Sequence, residues 1–224
     1  MSDYEDDYKP QYAYDGGSVV QEKPMNKLKP GDELNITKKD PTVKRVVAGM
    51  GWNFRGFDAD PPDLDMCMFL LDKHNQTRAD EDFVFYNNKI GGEGSARHLG
   101  DSRTGAGDGD DEQIELNLAT LPFEIVRIVF ALSLYNLDVG LENHNFSMVK
   151  NVFFRLVNQD TGHEIFRLDV DEKAIGTDST CLIFGELERV GNEWLFIAHV
   201  EPVAGGLSKI ATDYGMVIAQ HMQG

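Results

Sequence analysis

Apolar and polar residues alternate most regularly at EQIELNL, residues 112–118, where Ile114, Leu116 and Leu118 face one way and Gln113, Glu115 and Asn117 the other. That period of two predicts a half-buried strand. LKPGDELNITK pairs a Pro-Gly turn signal with Leu34 and Ile36 at alternate positions, predicting a short strand, and KRVVAGMGWNF, with Val46, Val47 and Trp52, predicts another. Pro61 and Pro62 exclude a helix before DLDMCMFLL, and from Leu64 to Leu71 both faces are apolar, as in a strand covered on both sides. DFVFYNN, residues 82–88, reads as a further strand. EIVRIVFALSLYN could form an apolar helix, but its Val, Ile, Phe and Tyr content favours a buried strand.

Two hairpins follow. VFFRLVNQDTGHEIFRLDV turns at Asp160-Thr161-Gly162, and STCLIFGELERVGNEWLFIAHV turns at Val190-Gly191-Asn192. In GGLSKIATDYG, Leu207, Ile210, Ala211 and Tyr214 fall at helical spacing after Gly205 and Gly206, with Ser208 as the expected cap. About eight to ten short strands with regular turn signals and no βαβ alternation predict an all-β, two-sheet β-sandwich, jelly-roll or Greek-key-like, with a short C-terminal helix. Trp52 and Trp194 lie in strand-like runs and are expected in the core.

Composition divides the chain. Residues 1–26 are rich in Tyr, Asp and Gly without apolar periodicity, which predicts a flexible acidic tail ahead of one domain over 27–224. The formal charge of −17 argues against nucleic acid and anionic membrane as partners and favours basic proteins or metal cations. MSDYEDDYK has neither the basic nor the apolar region of a secretory signal, and no apolar run approaches the ~20 residues that a membrane-spanning helix needs. Cys67 and Cys181 sit in apolar runs and read as two reduced, buried thiols. The expected location is the cytoplasm, without direct membrane insertion.

The strongest chemical signal is GDSRTGAGDGDDE, residues 100–112, with five acidic side chains and four glycines. So little apolar surface cannot order a loop. A hard cation bound by oxygens can, and calcium takes six to eight oxygen ligands at about 2.3–2.6 Å. Counting from Asp101 puts Glu112 twelfth, as in an EF-hand, but Arg103 and Gly105 occupy ligand positions and no helices flank the loop. A calcium site on a sandwich-edge loop is the better reading. Asp58, Asp60, Asp63 and Asp65 form a second acidic cluster, and Asp82 is a further candidate. In an extended segment Asp63 and Asp65 share one face, about 6.5–7 Å apart.

GMGWNF, DLDMCMFLL, DFVFYNN, HLGDSRTGAGDGDDEQIELNLATLP, IVFALSLYN, IFGELERVGNEWLFIA and GGLSKIATDYG occur in that order from about Gly31 to Gly215. Together they resemble the TerD family of tellurium-resistance and stress-associated proteins. The resemblance implies a β-sandwich that binds calcium through acidic loops. It further implies a role in resistance to tellurite, phage, colicins, or envelope and oxidative stress. Members are regarded as calcium-dependent binding or scaffold proteins working with protein partners, membrane-associated Ter proteins among them, and not as enzymes. Carried onto this chain, the metal residues are Asp63, Asp65, Asp101, Asp110, Asp111 and Glu112, with Asp108, Asn87 and Asn88 as additions. The chain departs from the family at NFRGFDADPPDLD, which carries Pro61, Pro62 and an extra acidic pair, and at Met66. In SRT it places Arg103, a competitor for the carboxylates, beside the expected site.

Other chemistry finds little support. His74, His98, His144, His163, His199 and His221 are scattered, without zinc-ligand spacing, and His98 is placed to orient the acidic loop. No nucleophile elbow, Walker A or dinucleotide fingerprint is present. The alternative to a calcium-binding stress protein is a calcium-dependent module for a nucleotide or sugar, or a metal-assisted hydrolase. The oligomeric state is not legible in the sequence.

Overall fold

The computed structural model describes residues 26–55, 62–100, 109–135, 145–171, 173, 175, 179–203 and 205–216. The expected acidic tail lies almost wholly outside them. Among the described residues the strands are β1 (Lys27–Leu28), β2 (Glu33–Asn35), β3 (Arg45–Phe54), β4 (Asp63–Leu71), β5 (Phe83–Val84), β6 (Ile90–Gly91), β7 (Ala96–His98), β8 (Glu112–Asn117), β9 (Arg127–Tyr135), β10 (Val149–Asn158), β11 (Glu164–Asp169), β12 (Cys181–Val190) and β13 (Glu193–Val203). Two α-helices, α1 (Ile36–Lys39) and α2 (Gly206–Asp213), and three short 3₁₀ turns are also described.

The first sheet runs β1-β11-β10-β3-β8-β7-β6 and the second β2-β13-β12-β9-β4-β5. Every pairing is antiparallel except β1 with β11. β3 lies between β10 and β8, and β4 between β9 and β5, so strands distant in sequence lie side by side. The all-β, two-sheet expectation and the short C-terminal helix both hold.

Strand count and some boundaries differ from expectation. The thirteen strands include five of only two or three residues, too short to leave a period in the sequence. The run 82–88 is a strand only at Phe83–Val84: Asp82 closes a 3₁₀ turn, and Phe85 pairs with Asn88. The Asn88 amide bends the chain there by donating to the carbonyls of Phe83 (2.7 Å) and Glu81 (3.3 Å). Ile36 opens α1, because the Asn35 side chain accepts from the Lys38 N–H and caps a helical turn. The cap of α2 is Gly205 at φ 91°, not Ser208, which lies inside the helix.

Alternation decides what each strand buries. Leu64, Met66, Met68 and Leu70 of β4 and Ile128, Phe130 and Leu132 of β9 enter the core between the sheets. Cys67, Phe69, Leu71, Val129 and Ala131 face the opposite way, under Ile210 and Ala211 of α2. Both faces of β4 and β9 are thereby covered, which explains their continuous apolar sequences. The inner core centres on Phe154, whose ring lies 5.0–5.8 Å from those of Phe130, Phe166, Phe184 and Phe196. Trp52 and Trp194 are buried as expected.

Cys67 and Cys181 are free and buried. Burial pushes the Cys67 thiol well up, reinforced by Cys181, Asp65 and Glu112, and pushes Cys181 up to about 12. Neither carries appreciable thiolate at neutral pH. No helix among the described residues is long and apolar enough to cross a membrane.

Replacing Phe154 with Ala removes the ring that touches four others and is expected to cost about 3–5 kcal/mol of stability. Urea unfolding of the two proteins measures it. A loss under ~1 kcal/mol would show that the aromatic cluster is not the centre of the core.

Candidate functional site

The acidic segments meet at one end of the sandwich through Glu112. This residue opens β8 on the face that also carries Ile114 and Leu116, so its side chain enters the space between the sheets and is 1% exposed. There its Oε2 accepts the backbone N–H of Met66, on β4 of the opposite sheet. β5 pairs with β4 only at Met68 and Phe69, so the β4 edge beside Met66 is left for this contact. Asp63 and Asp65 flank the same stretch, sharing the face of Cys67, and Asp65 is buried. Two acidic runs distant in sequence are thus joined by a carboxylate that crosses the core.

His98 stands beside Glu112. Both side chains are fully buried, with His98 Nε2 3.6 Å from Glu112 Oε2. His98 Nδ1 accepts the Gly100 N–H at 3.2 Å, which leaves Nε2 as the nitrogen that carries a proton toward the carboxylate. The orienting role expected of His98 has this geometric form: one nitrogen holds the entry of the acidic loop, and the other faces Glu112. The His98 N–H bonds to the Lys89 carbonyl, which sets the Asn87–Asn88 turn beside it. Asn88 spends its amide on building that turn, and Asn87 is exposed.

Asp111 and Asp110 go different ways. Asp111 lies along β3: its N–H donates to the Met50 carbonyl at 2.8 Å, and its Oδ2 accepts the Trp52 N–H at 2.8 Å. Burial raises its carboxyl above the ordinary range; the Trp52 hydrogen bond opposes the rise and the Asp110 charge adds to it. Asp110 lies on the outer face of the first sheet, over Gly49. A Cβ on Gly49 would fall 2.1 Å from Asp110 Oδ2, and one on Gly51 would strike the Phe153 ring and approach the Gly109 carbonyl. The Gly-Met-Gly of β3 therefore provides a flat bed for the exit of the loop.

There Asp110 meets a cation that sequence reasoning did not anticipate. Arg155 of β10 donates from Nε to Oδ1 at 2.6 Å and from Nη2 to Oδ2 at 3.0 Å, and Gln113 Nε2 donates to Oδ2 at 2.8 Å. The third arm of Arg155, Nη1, reaches Glu164 at 3.0 Å. Burial alone would lower the Arg155 pKa, but the bonds and charges of Asp110 and Glu164 outweigh it and hold it raised. Asp82 is likewise engaged, by Arg78 Nε at 2.8 Å.

Among the described residues no three His, Cys, Asp or Glu side chains gather closely enough to hold a metal ion by themselves. Asp101, Asp108, Asp58, Asp60 and Arg103 lie outside the described residues. Asp63, Asp65, Asp111 and Glu112 lie on neighbouring stretches of β3, β4 and β8 and offer only oxygen, which is the donor chemistry that calcium takes. Asp110, with both oxygens on Arg155 and Gln113, does not fit a ligand role in this arrangement.

Comparison with known proteins extends these observations. The TerD domain profile matches residues 25–214. The chain is 39% identical over 189 residues to the tellurium resistance protein TerD of Serratia marcescens, covering 84% of this chain and 96% of the relative. It is 40% identical over 192 residues to general stress protein 16U of Bacillus subtilis (strain 168), covering 85% and 97%. The crystal structure of a homologue of telluride resistance protein (TerD) from Streptomyces coelicolor A3(2) superposes with a TM-score of 0.61 at 22% identity, over 78% of this chain and 99% of the other. A profile spanning most of the sequence, two relatives matched almost end to end and a shared two-sheet architecture agree, and the chain belongs to the TerD family.

Proposed function

We propose that this protein acts in resistance to tellurite and related stress as a calcium-dependent binding or scaffold module, not as an enzyme. The stress role follows the names of the relatives, tellurium resistance and general stress proteins, which denote no enzymatic activity. The calcium reading rests on one observation: Glu112, buried between the sheets, bonds to the Met66 backbone and so brings residues 63–65 and 111–112 to the same end of the sandwich. Asp63, Asp65, Asp111 and Glu112 would hold the ion, with Asp101 and Asp108 from the loop. Bound calcium would supply the positive charge that a chain of net charge −17 lacks there. His98 would keep Glu112 oriented, and Trp52 would fix one oxygen of Asp111. The surface formed by the ordered loop would then receive a protein partner, membrane-associated Ter proteins being the class that the family suggests. The proposed place of action is the cytoplasm.

Calcium should stabilise the fold. Linkage gives about 2.7 kcal/mol at a hundredfold excess of free ion over Kd. A thermal melt in calcium chloride should therefore lie above one in EGTA, with magnesium giving a smaller shift. Identical melts in calcium and chelator would refute the calcium reading.

Asp111→Asn separates stability from binding. A carboxyl whose folded pKa is raised costs stability as pH climbs through and above its titration range, because the unfolded chain ionises more readily. Removing the charge should leave the melting temperature in EGTA at neutral pH unchanged or higher and weaken calcium binding; at acid pH, where Asp111 is protonated, the advantage should vanish. Calorimetry and melts at both pH values check it.

A further inference from the structure

The Arg155 guanidinium sits in one register row with Gly49 and Gln113: Arg155 is opposite Gly49, and Gly49 opposite Gln113, all on the outer face of the first sheet. Asp110 lies across this row, above the one position without a side chain. Its side chain is 1% exposed and that of Arg155 20%. A bidentate guanidinium–carboxylate pair this far from solvent fixes position as well as charge. The next residue, Asp111, is tied to β3 on both its N–H and its carboxylate. The chain then turns over, so that Glu112 enters the core while Asp110 remains outside.

Building on the calcium reading, we propose that Arg155 is a positioning residue for the acidic site. It clasps the exit of the loop through Asp110, withdraws that carboxylate from the ligand set, and holds Asp111 and Glu112 in place before any cation arrives. Three consecutive acids would otherwise repel one another. With one neutralised by a fixed guanidinium, the other two can stay near β3 and β4 in the metal-free protein. Less ordering then remains to be done when calcium binds, and preorganisation of this kind strengthens binding.

The proposal makes a prediction opposite in sign to simple electrostatics. Deleting a positive charge near a cation site should by itself tighten calcium binding. If Arg155 is a clasp, Arg155→Met should instead weaken it, by about tenfold, within the usual range of coupling between sites. Arg155→Lys, which keeps the charge but not the planar fork, should weaken it as well. Asp110→Asn should resemble Arg155→Met, whereas a direct ligand would make Asp110→Asn far more damaging. Gly49→Ala, whose new methyl displaces Asp110, should act in the same direction without touching any charge.

Calorimetric titration with calcium chloride gives the affinities, and amide hydrogen exchange in EGTA reads the clasp without calcium. Exchange at Trp52 and Asp111 should quicken about tenfold in the variants while that at Phe130 and Phe154 stays as in the parent. Unchanged or tighter calcium binding in Arg155→Met, or unchanged exchange at Trp52 and Asp111, would overturn the proposal. If Arg155→Met does not fold, Gly49→Ala decides by the same two measurements. Should the parent protein bind no calcium, the calcium reading fails, and the exchange data still decide whether Arg155 pins residues 110–112.

Discussion

A carboxyl group buried between two sheets is costly unless its polar atoms are answered, and Glu112 is such a group, 1% exposed, with one oxygen on the Met66 backbone and the His98 imidazole beside it. This contact stitches the start of β8 to β4 across the sandwich and fixes where the acidic runs can meet. The rest of the site accommodates it. His98 directs its ring proton toward the carboxylate, β5 stops short of Met66, and Asp111 is laid along β3 so that the chain can turn Glu112 inward.

Charge in this molecule is sorted by face. Of the consecutive acids 110–112, Glu112 reaches into the interior, whereas the outer surface of the first sheet receives Asp110 and meets it with Arg155 and Gln113. The sorting depends on a bed of two glycines on β3, since a methyl at either would collide with what lies above it. Gly49 and Gly51 thus belong to the architecture of the acidic loop although they carry no chemistry. Burial acts on the thiols as well: Cys67 and Cys181 lie under α2, and desolvation favours their protonated form.

Much of the fold was legible because it follows from short-range rules. The two-residue period at Ile114, Leu116 and Leu118, the doubly apolar run from Leu64 to Leu71 and the two late hairpins appear where the pattern puts them. The misjudged parts are those where a side chain overrides local preference. Asn88 bends an apolar run by taking two carbonyls, Asn35 caps a turn at Ile36, and Gly205 supplies a left-handed cap that Ser208 was expected to provide.

For the candidate site, the sequence alone determined its composition: oxygen-rich, glycine-rich and next to apolar strands. It also placed Asp63 and Asp65 on one face, because strand geometry has a fixed period. The tertiary structure decided which acids face which neighbours. Alternation would put Asp110 on the side of Glu112, yet the turn at Asp111 sends it to the opposite face. Its cation, Arg155, lies 45 residues away, on β10, which the strand order brings alongside β3. Local pattern encodes the face of a residue within a strand. Which charge stands opposite is set by strand order, and strand order depends on how the whole core closes.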